Sequence, residues 1–248
     1  MAPDPGPNRH PSRYAGRALV VVVIVAVLVA GGLAYVIAGA NRQAQPARTR
    51  GIPAAVSTPL ATLMKLSPVP AHPAPEFTLT DQSGRPVSGA DFRGRAIVLE
   101  FMDPHCTDIC PIISQEFVDA YHDLGAQAAQ VVFLAVNVNP FHTAVADVAS
   151  FSHEHRLDTI PSWHFLTGPD SALEATWSSY GVSVDAPSPD ADVIHSSFVY
   201  FIDPDGNERY LGSPEDDHRA NGDAYLPGNQ IDTWGEGIAA TARSLLAR

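Results

Sequence analysis

A short apolar run, Ala96 to Phe101, is followed within ten residues by the two cysteines of the chain, Cys106 and Cys110. A run of this length that ends at a proline-containing turn is typical of a buried strand. If the turn continues as a helix, side chains four residues apart lie on one helix face. The sequence therefore predicts that a buried strand delivers two sulfurs to the same face.

Two adjacent thiols suit either a soft metal ion or a reversible disulfide. A purely structural disulfide is a further alternative, but it would close so short a loop that it removes little chain entropy. The thioredoxin spacing has two residues between the cysteines, whereas this chain has three, Thr107, Asp108 and Ile109. Cu(I) and Zn prefer thiolate ligands and gain from a third ligand supplied elsewhere. The longer spacing therefore favours a metal and leaves redox chemistry open.

Residues Ala18 to Ala40 form an uncharged apolar segment of 23 residues, and roughly 20 are needed to cross a bilayer as a helix. A cleavable signal peptide is the competing interpretation, because Ala38 to Ala40 resembles a processing site. The apolar segment is longer than the core of a signal peptide, which favours an uncleaved anchor. We predict a short cytoplasmic segment at 1–17 and one transmembrane helix at 18–40.

Three arginines lie on each side of this segment. Because the two flanks carry equal positive charge, that charge does not predict which end of the helix faces the cytoplasm. Long domains translocate largely regardless of that charge, so we place the C-terminal part outside the cytoplasm. A cysteine pair is also unsurprising in an oxidising compartment. The expected location is the cell membrane, with a single span and an extracytoplasmic domain.

Charge is distributed unevenly along the chain. Residues 1–74 carry seven Lys or Arg and one acidic residue, whereas 75–248 carry eight Lys or Arg against 26 acidic residues, a net charge of −18. So acidic a domain repels nucleic acid and anionic lipid. A basic protein or a cation is the expected partner.

The chain divides into a linker and one domain. Residues 41–74 are rich in Pro, Ala and Arg and are predicted to form an extended tether. From Pro75 to the end, strand and helix patterns alternate. The predicted strands, besides a hairpin around Asp81 to Gly84, are Ala96–Met102, Val131–Val138, Trp163–Leu166, Ser197–Ile202 and Glu208–Leu211. The predicted helices are Ile112–Leu124, Thr143–His155, Asp170–Tyr180 and Thr233–Leu246. This order indicates an α/β domain with a central mixed sheet and helices on both faces.

Several motifs together point to a family. They are Phe77 to Gly84, Phe92 to Arg95, Cys106 to Pro111, Trp163 to Gly168, and Ile194 to Ser197 before the turn at Asp203 to Gly206. The chain from Pro75 onward resembles the Sco/SenC family, membrane-anchored proteins of thioredoxin-like fold. Members of that family bind copper and help to assemble the binuclear copper site of cytochrome c oxidase.

The resemblance implies a copper site made of Cys106, Cys110 and His195. Two thiolates and one imidazole suit Cu(I), and the imidazole also tolerates Cu(II). The implied partners are the copper-bearing subunit of cytochrome c oxidase and a copper-donating chaperone. The implied role is that of a copper chaperone, which either delivers copper or maintains the thiols of the acceptor.

The sequence departs from the family pattern at two loops. Met102 to His105 replaces a Gly-Tyr-Thr type of turn, and Asn139 to His142 replaces Asp-Pro followed by charged residues. Loss of a carboxylate at Asn139 puts the supporting role of its loop in doubt. His105 and His142 are either additional ligands or polar residues on exposed loops.

Three competing functions use the same cysteines. A thiol–disulfide oxidoreductase of the thioredoxin or TlpA type usually has a proline before the strand that begins near Ser197, and Asp192 to Ile194 contains none. A peroxidase needs a Thr three residues before its cysteine, whereas Thr107 follows Cys106. A binding module with a redox-sensing cysteine pair is the third possibility. The missing proline favours the metal role over disulfide exchange.

Overall fold

The computed structural model describes residues 51–214, 217–218 and 224–247. Residues 51–248 form one compact unit. The predicted cytoplasmic segment, the transmembrane helix at 18–40 and the first part of the linker lie outside the described residues. Within the described ranges, no helix combines the length and the apolar character that a membrane crossing requires.

Helices and strands alternate along most of the described chain. The α-helices are α1 Thr58–Leu63, α2 Ile109–Leu124, α3 Val145–Glu154, α4 Asp170–Ser179 and α5 Gly228–Leu246. The strands are β1 Ser67–Pro73, β2 Thr78–Thr80, β3 Pro86–Ser88, β4 Ala96–Met102, β5 Val131–Asn137, β6 Trp163–Leu166, β7 Val184–Asp185, β8 Ile194–His195, β9 Val199–Ile202, β10 Asn207–Gly212, β11 Asp217–His218 and β12 Ala224–Tyr225. Short 3₁₀ turns lie at Gly89–Phe92, Gly125–Gln130 and Leu157–Thr159.

A mixed six-stranded sheet forms the centre, in the order β1-β10-β9-β4-β5-β6. Strands β4, β5 and β6 are parallel, whereas β9, β10 and β1 join the sheet in antiparallel pairs. Every residue of β4 and β5 is buried, as expected for parallel strands covered on both faces. The mixed sheet predicted from the sequence is confirmed.

Each face of the sheet carries its own hydrophobic core. One core, which includes Phe117 of α2 and Trp234 of α5, lies against the face formed by Val98 and Phe133. The other core lies under α4 and the β2–β3 hairpin and includes Trp177. Helices therefore cover both faces, as predicted.

The prediction of an extended linker at 41–74 is wrong from Gly51 onward, because this part of the chain contains α1 and β1. Leu60 and Met64, in and just after α1, are buried in the first core. Strand β1 pairs with β10 in a register that places Ser67 opposite Leu211. Proline cannot donate to a strand ladder, so it is confined largely to edge strands. β1 is an edge strand, and that is why a proline-rich segment can belong to the domain.

Helix α2 begins at Ile109, three residues before its predicted start. Asp108 caps it, because the Asp108 Oδ1 accepts a hydrogen bond from the Ile109 amide at 2.6 Å. Pro111 then falls in the first turn, where a missing amide costs nothing. The early start places Cys110 inside the helix and Cys106 in the turn before it.

Candidate metal centre

The two cysteines lie next to one another at the amino end of α2. Cys106 is half-buried and Cys110 is buried, and both are free thiols. The Cys110 amide donates a hydrogen bond to the Cys106 Sγ at 3.3 Å. The turn after β4 therefore curls back over the helix start and places the two sulfurs side by side, as the sequence predicted.

The surroundings of the two thiols differ. The Cys106 Sγ donates a hydrogen bond to the Asp108 Oδ1 at 2.9 Å. Hydrogen bonding with the Cys106 sulfur and burial raise the pKa of Cys110 well above its ordinary value. Metal ligation requires thiolates, so an ion that binds both sulfurs has to displace the Cys110 proton. The partial positive charge at the start of α2 favours that deprotonation.

His195 lies in β8, opposite Val184 of β7. Burial lowers its pKa, against weaker opposing effects of the Ser196 carbonyl and of Asp103 and Asp108. The His195 Nδ1 lies 3.1 Å from the Ser196 carbonyl oxygen, which can only accept a hydrogen bond. Nδ1 therefore carries the proton, and Nε2 of the neutral ring keeps a lone pair for a metal ion.

Cys106, Cys110 and His195 do not form one closed group. In the part of the chain that the structure describes, the three ligand atoms that lie within 4.8 Å of one another belong to other side chains. The set predicted from the sequence is thus a pair of adjacent sulfurs and an imidazole in the β7–β8 hairpin. A three-ligand site requires the hairpin or the cysteine turn to shift.

A buried hydrogen bond joins the cysteine turn to the loop after β5. Asp103 Oδ1 accepts from the His105 amide at 2.8 Å and from Asn139 Nδ2 at 3.0 Å. Asn139 Oδ1 in turn accepts from the Phe141 amide at 3.0 Å. Asp103 and Asn139, one in each of the two loops that depart from the family pattern, are therefore hydrogen-bonded to one another.

Asn137, at the end of β5, holds the same loop through hydrogen bonds of its side-chain amide. Its Nδ2 donates to the His142 carbonyl at 2.8 Å and to the Thr167 Oγ1 at 3.2 Å. Its Oδ1 accepts from the Asn139 amide at 2.8 Å. The loop that carries His142 is therefore held by buried side-chain amides.

His105 and His142, left open by the sequence, lie against one another. Their rings stack with centroids 3.7 Å apart and an interplanar angle of 26°. His105 Nε2 lies 3.8 Å from Asp147 Oδ1 at the start of α3. These three side chains are the group whose ligand atoms lie within 4.8 Å of one another.

A cleft of about 400 Å³ opens between the cysteine turn, the Asn139 loop and the loop that joins β7 to β8. Its lining includes Cys106 and four aspartates, Asp103, Asp108, Asp190 and Asp192. Low-dielectric walls lined by one sign of charge concentrate ions of the opposite sign. The cleft therefore attracts cations, in agreement with the acidic character of the domain.

A buried carboxyl group that the sequence motifs did not indicate lies behind the site. Glu100 of β4 is fully buried, and its Oε1 accepts a hydrogen bond from the Ser197 Oγ at 2.9 Å. Burial raises the pKa of Glu100 to about 8, although the Ser197 hydrogen bond acts in the opposite direction. The bond ties the central strand to the segment two residues after His195. A lone acidic residue within a predicted buried strand was the available signal.

More than half of the chain is similar to known proteins of one family. A family model described as SCO1/SenC matches residues 67–221, more than half of the chain. The SCO1 protein homolog of Bacillus subtilis (strain 168) is 28% identical over 132 residues, covering 52% of this chain and 68% of that protein. The mitochondrial SCO2 homolog of Mus musculus is 32% identical over 139 residues, or 53% of this chain. The aligned part spans 52%, about half, of the mouse protein.

Two relatives, from two strains of Mycobacterium tuberculosis, are named as peroxiredoxins. A Mycobacterium tuberculosis (strain ATCC 25618 / H37Rv) protein named as a peroxiredoxin is 31% identical over 137 residues, covering 55% of this chain and 80% of that protein. Neither name mentions copper.

Solved structures agree on the fold. The copper-bound structure of Bradyrhizobium japonicum ScoI has a TM-score of 0.54 at 24% identity, covering 71% of this chain and 100% of that chain. BsSco, a member of the Sco family of cytochrome c oxidase assembly proteins in which a disulfide switch was identified, has a TM-score of 0.50 at 26% identity. That match covers 57% of this chain and 83% of BsSco. The mixed α/β fold matches the thioredoxin-like fold of Sco proteins.

Proposed function

The chain belongs to the SCO1/SenC family, and from this premise we propose that it is a copper-binding protein of cytochrome c oxidase assembly. It delivers copper to the binuclear copper site of the oxidase or keeps the thiols of that site reduced. The ligands are Cys106, Cys110 and His195. The description of the Sco family as cytochrome c oxidase assembly proteins supports this role.

The observation that carries the proposal is the pair of free thiols at the start of α2, to which the β7–β8 hairpin can add the neutral imidazole of His195. Thiolates select Cu(I) over harder ions, and the free Nε2 of His195 supplies a third donor. The acidic cleft beside Cys106 concentrates the cation at the sulfurs. The donor set therefore fits copper as cargo.

The protein controls loading through the geometry of its loops. Asp103 and Asn139 fix the turn that carries Cys106, while His195 lies in a two-residue hairpin strand. Movement of that hairpin toward α2 would add His195 as the third ligand of the ion. Opening it leaves copper on the two sulfurs, from which an acceptor with more ligands can take the ion.

A dithiol–disulfide equilibrium gates the same site. Only thiolates ligate, so the oxidised pair offers no charged sulfur to copper. If the protein reduces an acceptor, Cys106 or Cys110 attacks the acceptor's disulfide and the second cysteine resolves the mixed disulfide. Two acceptor thiols are released and one Cys106–Cys110 disulfide forms. The disulfide switch identified in BsSco supports this gate.

The proposed setting is the outer face of the cell membrane, with residues 18–40 as a single anchor. There the acidic domain meets the copper-bearing subunit of cytochrome c oxidase and a copper-donating chaperone. The apolar length of that segment and the long domain that follows it support this placement.

The second candidate function is thiol–disulfide exchange without copper. The M. tuberculosis relative named as a peroxiredoxin supports it, since that name refers to thiol chemistry. Such an enzyme needs Cys106 and Cys110 but gains little from the free Nε2 of His195.

Copper binding by the purified full chain tests the proposal. Cu(I) supplied from a chelator should load about one ion per chain, as a single three-ligand site requires. The Cys106→Ser, Cys110→Ser double variant should bind none, and His195→Ala should bind more weakly while still forming a disulfide. His153→Ala, which removes an exposed imidazole on α3, is the matched control. Stoichiometric Cu(I) retained by the double variant contradicts the ligand assignment.

The two candidate functions separate in cells. A strain whose gene encodes His195→Ala should fail to assemble the oxidase copper site, as a Cys106→Ser strain should. Normal oxidase activity in the His195→Ala strain, combined with its loss in the Cys106→Ser strain, supports thiol–disulfide exchange instead.

A further inference from the structure

A second group of metal-binding side chains lies beside the cysteines without including either of them. His105, His142 and Asp147 place their ligand atoms within 4.8 Å of one another. His142 and Asp147 lie five residues apart, in the loop after β5 and in the first turn of α3, whereas His105 comes from the cysteine turn. The approach of His105 to the other two side chains is therefore not a consequence of sequence neighbourhood.

The backbone around each of the two histidines is fixed. The His105 amide donates to the Asp103 Oδ1 at 2.8 Å, and the His142 carbonyl accepts from Asn137 Nδ2 at 2.8 Å. The Asp103–Asn139 hydrogen bond ties these two segments together. The imidazoles therefore start from a stacked arrangement whose supports lie in the buried interior.

The carboxylate is held in a similar way. Asp147 Oδ2 accepts from the Ala144 amide at 3.2 Å, at the start of α3. Its other oxygen, Oδ1, faces the His105 Nε2 at 3.8 Å. One oxygen thus anchors the side chain, and the second oxygen points at the imidazole pair.

We propose that His105, His142 and Asp147 bind one divalent transition-metal ion, with Cu(II) bound most strongly. Imidazole and carboxylate are donors for Cu(II), Zn(II) and Ni(II), and affinity along this series is highest for Cu(II). The thiol pair selects Cu(I) instead, so the two sites differ in the oxidation state that they prefer.

Ligation requires one imidazole to rotate out of the stack, because a metal–nitrogen bond lies in the plane of its ring. Metal bonds to nitrogen and oxygen of about 2.0–2.2 Å allow two ligand atoms on one ion to lie up to about 4.4 Å apart. All the separations in the group lie within 4.8 Å, so none exceeds this limit by more than a few tenths of an ångström. His105 is exposed, so its ring can rotate to close the difference.

The position of this site gives it a role at the entrance to the thiols. His105 precedes Cys106, and both residues line the acidic cleft together with His142. An ion held by the two imidazoles therefore borders the cleft that Cys106 also lines. The site does not depend on the proposed function, because it uses neither the cysteines nor His195.

The test uses the untagged full chain carrying Cys106→Ser, Cys110→Ser and His195→Ala, so that the thiol site has no ligand left. Titration with Cu(II) should give one tightly bound ion per chain, with nitrogen hyperfine coupling from two imidazoles in its electron paramagnetic resonance spectrum. Addition of His142→Ala or His105→Ala should weaken binding at least tenfold and remove one nitrogen coupling. Asp147→Asn should weaken binding while both couplings remain. His153→Ala, on the same helix as Asp147, should change neither.

Two results overturn the proposal: no Cu(II) bound by the triple variant, or Cu(II) bound with unchanged affinity after His105→Ala and His142→Ala. Circular dichroism checks that each variant is folded. If the triple variant does not fold, the same titration is made on the wild-type chain with Cys106 and Cys110 alkylated. Failure of this site leaves the Cu(I) result at the thiols untouched, so the two proposals fail separately.

Discussion

Asn139 Nδ2 donates a hydrogen bond to Asp103 Oδ1 at 3.0 Å, and both side chains are buried. This contact joins the turn that carries Cys106 to the loop that carries His142. The carboxylate lies on one loop and the amide on the other, so neither loop can move without breaking a buried polar contact. Buried hydrogen bonds to charged groups are costly to leave unmade.

Asn139→Asp tests this contact with almost no change of shape. Two buried carboxyl groups at this distance cannot both ionise, so we expect a loss of about 1–3 kcal/mol in the free energy of unfolding at pH 7. Acidification to pH 5 should recover part of the loss. Asn229→Asp, at an exposed position of α5, is the control and should stay within about 0.5 kcal/mol. Urea denaturation measures both, and an Asn139→Asp protein as stable as wild type contradicts the role of the contact.

Glu100 gives the domain a pH-dependent stability. Its pKa of about 8 in the folded chain lies above the ordinary value of 4.5, so the folded state binds the proton more tightly than the unfolded state. Stability from this group is fully present below pH 4.5 and is lost as pH rises toward 8. The loss is on the order of 4 kcal/mol.

Glu100→Gln should therefore flatten the fall in unfolding free energy between pH 5 and pH 8 and raise stability at the alkaline end. The amide oxygen of Gln can still accept the hydrogen bond from Ser197. Glu174→Gln, at an exposed position of α4, should leave the pH profile unchanged. Parallel profiles for wild type and Glu100→Gln refute the assignment.

The proline-rich segment before Pro75 is expected to be essential for stability. Met64 is buried and packs against Gly237 of α5. Met64→Ala should cost about 2–5 kcal/mol, the usual range for a large-to-small change in a core. Thr62→Ala, an exposed neighbour, should cost less than about 0.5 kcal/mol.

A chain that starts at Pro75 lacks α1 and β1, and it should unfold at lower temperature than one that starts at Gly51. Thermal melts of the two shortened chains make the comparison. Equal melting temperatures contradict the assignment of this segment to the domain.

The cysteines should react at different rates. Cys106 is half-buried, whereas Cys110 is buried and has a raised pKa, so alkylation at pH 7 should modify Cys106 first. Oxidant or Cu(I) should protect both residues, because disulfide formation and ligation each remove the free thiol. Mass spectrometry of the alkylated peptides measures the order, with the denatured chain as control. Equal alkylation of free, oxidised and copper-treated protein contradicts the redox gate.

Residues 18–40 are expected to remain as an uncleaved anchor. Protease added to spheroplasts should release the acidic domain and leave the N-terminal segment protected. N-terminal sequencing of the mature protein provides the check. A mature N-terminus at Asn41 indicates a cleaved signal peptide instead.

Much of the domain follows from local sequence patterns. The apolar runs of β4 and β5 and the helical periods of α2 and α4 predict elements within a few residues of their observed bounds. Each of these patterns depends only on the residues of one segment and shows which of its faces are buried. The adjacency of Cys106 and Cys110 is likewise a short-range property, since four residues of turn and helix determine it.

Only the tertiary structure decided which distant segments meet. β1 is rich in proline and has no apolar period, and its place at the sheet edge depends on pairing with β10 far along the chain. The hairpin that carries His195 has strands of two residues. Such strands are too short to show an alternation of apolar and polar residues in the sequence.

The Asp103–Asn139 bond and the His105–His142 stack each join two loops more than 30 residues apart in the chain. The sequence by itself determined the buried strands, the helices and the chemistry of the two thiols. These depend on the spacing of apolar residues along one segment and on the short separation of the two cysteines. The tertiary structure decided how the loops at the ends of β4 and β5 share one carboxylate and stack two imidazoles. Polar side chains on loops carry no periodic signal, and their partners are fixed by the packing of the parallel strands that bring the loops together.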